Sequence, residues 1–79
     1  MSTLFNFSVG DDYVKRFDYD GNGNVIYAGM AAPGTATSDA GWAIQRYTYT
    51  GSNVTLLQWA GGTNRLGAIW DNRAALAYS

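Results

Sequence analysis

The sequence predicts a mostly β domain: a small antiparallel sheet built from two tandem β-hairpin repeats plus a C-terminal strand, with one or two short helical turns. Three observations predict it. An internal repeat aligns turn with turn, and the arms of each copy alternate with the period of two that strands require. The third is composition: the chain has no Glu and one lysine, Lys15, among 79 residues, which leaves little helix propensity.

The first copy reads Lys15-Arg-Phe-Asp-Tyr-Asp-Gly-Asn-Gly-Asn-Val-Ile-Tyr-Ala-Gly-Met-Ala31. The second reads Gln45-Arg-Tyr-Thr-Tyr-Thr-Gly-Ser-Asn-Val-Thr-Leu-Leu-Gln-Trp-Ala60. Arg16 aligns with Arg46, Phe17 with Tyr47, Tyr19 with Tyr49 and Gly21 with Gly51. Across a shorter second turn, Val25 aligns with Val54 and Met30-Ala31 with Trp59-Ala60. A fainter third echo sets Gly41-Trp-Ala-Ile-Gln-Arg46 against Gly67-Ala-Ile-Trp-Asp-Asn-Arg73. Two copies, about 15–46 and 45–73, are too few for a solenoid and fit a duplicated hairpin.

In the first strand, about 13–19, Tyr13, Lys15, Phe17 and Tyr19 share one face, and Val14, Arg16 and Asp18 the other. Gln45, Tyr47 and Tyr49 repeat that face in copy two, opposite Ile44, Arg46 and Thr48. The turns Asp20-Gly-Asn-Gly-Asn24 and Thr50-Gly-Ser-Asn53 supply residues that tolerate positive φ. Return strands follow at about 25–31 and 54–60, and a last strand is expected near 73–78. Between strands, Ser38 stands where it would cap a helical turn. Asn64 stands likewise, ahead of Leu66, Ile69 and Trp70 at helix-like spacing. The organisation expected is an N-terminal arm over 1–12 and a single β domain over 13–79.

Composition removes several classes of function. There is no Cys or His, so disulfides, thiolate or imidazole metal sites, a Ser-His-Asp triad and a Cys-His pair are all excluded. A net charge of −1 leaves no basic footprint for nucleic acid or anionic lipid. No apolar run approaches a membrane span of about 18 residues, and the start lacks the basic and apolar regions of a signal peptide. Asn6-Phe-Ser8 and Asn53-Val-Thr55 fit the glycosylation pattern, but without a secretion signal they read as a chance match and a strand start. A core of this size supplies about 3–5 kcal/mol, so self-association or docking into an assembly is the expected staple.

Three clusters bear on chemistry. Asp18, Asp20, Asn22 and Asn24 open like a calcium-binding EF-hand loop, with oxygens at alternate positions and Gly23 at the bend. The twelfth position is Gly29 rather than a bidentate Glu, so a hairpin turn explains the pattern better, and no metal or cofactor is expected. The three tryptophans Trp42, Trp59 and Trp70 fit a core first, an interface second and a sugar-stacking plate third. Asn53, Gln58, Asn64, Asp71 and Asn72 are the hydrogen-bonding side chains available to such a plate. Catalysis has only carboxylates: Asp11, Asp12, Asp18, Asp20, Asp39 and Asp71. Most stand in turns, and Asp71-Asn72-Arg73 reads as a structural pair or turn, so no enzyme is expected.

From Phe17 to Ser79 the chain resembles small proteins of tailed-bacteriophage genomes and viral metagenomes. The resemblance is carried by the turn Asp18-Tyr-Asp-Gly-Asn-Gly-Asn-Val-Ile-Tyr27 and by Ala32-Pro-Gly-Thr-Ala-Thr-Ser38. Gly41-Trp42 with Tyr47-Thr-Tyr49, Gln58-Trp-Ala-Gly-Gly-Thr63, and Ile69-Trp-Asp-Asn-Arg-Ala74 with Tyr78-Ser79 complete it. It implies a virion location and a structural role such as capsid cement, decoration or a small head or tail component, and transfers no functional residue. Phe5 and Phe7 alternate as an extended strand would, and with Trp42, Trp59 and Trp70 they are the interface candidates. The alternative is a small carbohydrate- or protein-binding β module with an aromatic face.

Overall fold

The computed structural model describes residues 13–79, and the expected N-terminal arm with Phe5 and Phe7 lies outside them. The strands β1 (Val14–Tyr19), β2 (Val25–Ala31), β3 (Ala40–Thr50) and β4 (Asn53–Trp59) form an antiparallel meander in the order β1-β2-β3-β4. A two-residue strand, β5 (Ala68–Ile69), pairs with the first part of β3, and a 3₁₀ helix follows over Trp70–Ala75. The mostly β architecture of two tandem hairpins is therefore the one the repeat predicts.

The two hairpins match in register as well as in sequence. Lys15 pairs Met30 as Gln45 pairs Trp59, and Arg16 pairs Gly29 as Arg46 pairs Gln58. Each hairpin also carries a bulge at the same repeat position. The register skips Ile26 opposite Asp18/Tyr19 and Thr55 opposite Thr48/Tyr49. A bulge increases local twist, so the duplicated pattern bends both hairpins alike.

Turn chemistry explains the tight ends. Asp20 Oδ1 accepts from the N–H of Asn22 at 2.8 Å and of Asn24 at 3.0 Å, and the Gly23 N–H bonds the Asp20 carbonyl at 3.1 Å. In the second hairpin Thr50 pairs Asn53 directly, and Gly51 has φ of 63°. A two-residue loop needs that left-handed first position to match strand twist.

Pairing sets the two faces of the sheet. One carries Tyr27, Gly29, Ala31, Trp42, Ile44 and Arg46, and Trp70 and the C-terminal segment cover it. Ala31, Trp42, Ile44, Ala60 and Trp70 form the buried core, with Tyr27, Ala68, Leu76 and Tyr78 packed against it. The Trp42 and Trp70 ring centroids are 5.8 Å apart at 43°. Burying one such ring removes roughly 150–250 Å² from water, worth on the order of 4–6 kcal/mol as an upper value. Two tryptophans thus dominate the core.

Three local expectations are corrected. Residues 61–67 form turns and bends rather than a helical turn capped by Asn64. The helix begins at Trp70, because Ala68 and Ile69 are held extended by β3. Ser38 caps no helix: residues 36–39 form a turn in which Asp39 N–H bonds the Ala36 carbonyl, and Ala36 N–H bonds Asp39 Oδ2. The strand expected near 73–78 is the end of the 3₁₀ helix followed by one bridge, Ala60 to Tyr78, so the fifth strand lies earlier in the chain.

Candidate functional site

The second face of the sheet is open. Register places Lys15 and Phe17 of β1, Ala28 and Met30 of β2, Ala43, Gln45 and Tyr47 of β3, and Leu57 and Trp59 of β4 on it. Together all of these but Leu57, with Gly29, line a concavity of about 290 Å³. Its shape follows from residue size: Ala28 and Ala43 are small, buried and central, while Phe17, Met30, Tyr47 and Trp59 stand around them. Repeat-equivalent positions share this lining: Lys15 and Gln45, Phe17 and Tyr47, and Met30 and Trp59.

The lining is apolar and aromatic with few polar groups. Tyr47 O–H donates to Gln45 Oε1 at 3.0 Å, and Lys15 is the one charged residue of the lining. Phe17 is 52% exposed and Leu57 45%. Such a surface can stack on flat groups and bury apolar ones, with an amide and an ammonium to orient them. It holds no carboxylate. A second, shallower depression of about 350 Å³ lies between Arg65 and Leu76 and is lined mainly by small residues.

On the covered face two arginines stack on aromatic rings. The Arg46 guanidinium lies 4.8 Å from the Tyr78 ring centre, and that of Arg73 lies 4.6 Å from Trp70. Arg46 also donates to Gln58 Oε1 at 2.7 Å. Arg73 Nε donates to Asp18 Oδ2 at 3.0 Å, fastening the helix to β1. Tyr78 O–H donates to the Arg73 carbonyl at 2.8 Å. Burial first, then the neighbouring Tyr27, push the Tyr78 hydroxyl up to about 12, against the opposing pull of Arg46 and Arg73. The charge–π contacts are attractive because each cation meets the negative face of a ring.

The sequence candidates are scattered by this arrangement. Trp42 and Trp70 take the core place that ranked first for the tryptophans rather than the interface place also open to them: they are 1% and 5% exposed, because the helix folds one over the other. Of the three tryptophans, only Trp59 reaches the open face. Asp18 is engaged by Arg73, and Asp20 by the turn backbone, with Asn22 and Asn24 donating their N–H groups to it. Among the described residues no three metal-ligating side chains of the His, Cys, Asp or Glu types gather. Asp71 does not pair with Arg73 as the Asp71-Asn72-Arg73 run suggested, since Arg73 turns to Asp18.

The side chains named for a sugar plate are not assembled either: Gln58 faces the covered side against Arg46, and Asn53, Asn64, Asp71 and Asn72 are absent from the concavity. Lys15, Phe17, Met30, Gln45 and Tyr47 are the site residues the sequence reasoning passed over. Their signal was present in the shared face of Lys15, Phe17, Gln45 and Tyr47 and in the repeat match of Met30 with Trp59. No family model, curated protein or solved structure matches the chain.

Proposed function

We propose that this is a non-enzymatic structural protein of a tailed bacteriophage, a capsid cement, decoration or other small head or tail component. It acts in the virion through contacts with its own copies or with a shell. The observation that supports this reading is the two-sided sheet: one face closes on the core, while the other presents Phe17, Met30, Tyr47, Leu57 and Trp59. A contiguous apolar face on so small a domain marks an interaction surface, and covering it adds the burial that a core this size lacks. The phage setting comes from the resemblance, and neither a cofactor nor nucleic acid enters the role.

The lining of Trp59, Tyr47 and Phe17 with Gln45 and Lys15 favours one second reading, a small carbohydrate- or protein-binding module with an aromatic face. Sedimentation equilibrium of the full-length chain, with a mass-spectrometric inventory of purified virions, separates the two. The assembly reading expects concentration-dependent oligomers and the protein among virion components. A stable monomer at millimolar concentration, absent from virions, overturns it.

A further inference from the structure

Closing one face of the sheet leaves the other without a cover among the described residues. Phe17, Met30, Tyr47 and Trp59 stand around the small floor of Ala28 and Ala43, and Lys15 is the one charge of the lining. The chain enters the sheet beside this concavity. The described residues begin at Tyr13, which alternation puts on the same face as Lys15 and Phe17.

Twelve residues precede Tyr13, and their chemistry matches the lining. Leu4, Phe5, Phe7 and Val9 are apolar, none of residues 1–12 is basic, and Asp11 and Asp12 carry the charge opposite to that of Lys15. Their length matches as well. Register separates Tyr13 from Trp59 by four residues along the strands and three strand spacings, roughly 20 Å across the face. Ala28 and Ala43 are nearer, at roughly 12–14 Å. Extended chain rises about 3.3 Å per residue, so Phe7 can reach the alanine floor and Phe5 can reach Trp59.

We infer that residues 4–9 cross the open face of their own copy, with Phe7 over Ala28 and Ala43 and Phe5 against Trp59. Trp70 and the C-terminal segment already close the other face, which leaves the concavity as the aromatic-lined surface open to these side chains. A segment tethered by so few residues acts at an effective concentration of about millimolar, ahead of a second copy or an outside partner. Lys15 at the margin would repel a basic segment, whereas this one brings two acids to it. A partner using this face would have to displace residues 4–9. The inference therefore goes beyond the assembly reading and does not depend on it.

Acrylamide quenching of tryptophan fluorescence in the full-length protein tests this, with Trp59→Phe identifying the signal that belongs to Trp59. Trp42 and Trp70 are buried, so the difference reports the open face. In the parent, Trp59 should be shielded to the same degree at every protein concentration. In Phe5→Ser/Phe7→Ser its quenching constant should rise severalfold. If the double variant loses the near-ultraviolet dichroism of the Trp42–Trp70 pair and has unfolded, Phe5→Ser alone gives the same comparison. Equal quenching of Trp59 in folded parent and variant overturns the inference. That is the result expected if the segment pairs along β1, three strands from Trp59. Shielding that appears only as concentration rises also overturns it, because the cover is then another copy. The assembly reading is judged separately, by sedimentation equilibrium and the virion inventory.

Discussion

Replacing Gly29 with alanine tests the packing that closes the core. Gly29 lies mid-strand in β2, between Arg16 and Ile44 in the ladder, and its buried face looks at Trp70. A Cβ built there would stand 2.6 Å from two carbons of the Trp70 ring and 3.2 Å from one of Trp42. The first distance is far inside van der Waals contact, so a ring or the strand must move. Neither ring moves easily: Trp42 Nε1–H is bonded to the Ala36 carbonyl at 2.9 Å, and Trp70 is held between Trp42 and the Arg73 guanidinium.

Overpacking of this kind costs about 1–3 kcal/mol. Removing glycine's extra freedom in the unfolded chain returns about 0.4–1 kcal/mol. The expected net loss is about 1–2 kcal/mol, which lowers the melting temperature of a domain this size by roughly 4–16 °C. Thermal unfolding followed by tryptophan fluorescence and near-ultraviolet dichroism measures it. Gly21→Ala is the control, since nothing lies within 4 Å of a Cβ there. In a Trp70→Leu background the Gly29→Ala penalty should shrink, as contacting sites couple. A Gly29→Ala protein that melts at or above the parent temperature would refute the proposed packing of Trp70 over β2.

Asp18→Asn should lower stability by about 0.5–1 kcal/mol, less so in high salt, because the Arg73 ion pair is only partly shielded. A double-mutant cycle with Arg73→Gln measures the coupling, and added calcium should leave the melting temperatures of parent and variant unchanged. Stability should also fall as pH rises from about 10 to about 12. The folded Tyr78 hydroxyl holds its proton up to about 12, against 10.0 when unperturbed, so the unfolded chain releases its proton first. Denaturant midpoints across that range check this, and Tyr78→Phe should flatten the loss while removing the bond to the Arg73 carbonyl.

Much of the fold was legible because its determinants are local. Alternation in 15–19 and 45–49, and the glycine, asparagine and aspartate turns between paired arms, specify two hairpins whatever else the chain does. The repeat carried further than expected: the shared register and the paired bulges at Ile26 and Thr55 follow from it. The third echo begins as a strand at Ala68–Ile69, as its likeness to Gly41-Trp-Ala-Ile suggests, and then leaves the pattern for a 3₁₀ helix.

Alternation and turn chemistry thus specify the pair of hairpins, their turns and the composition of each strand face. Tertiary structure decided which face would be closed. Both faces carry aromatic and apolar residues, and alternation separates them without ranking them. The choice depends on Trp70, which fits over Gly29 where the second hairpin has Gln58, and on Arg73 reaching Asp18 from 55 residues away. Contacts that distant leave no period in the sequence, because they are selected by the volume and charge of surfaces that meet only after the hairpins form. The same closure withdrew Trp42 and Trp70 from the surface, left Trp59 beside Tyr47 and Phe17, and so placed the candidate site on the opposite side of the sheet.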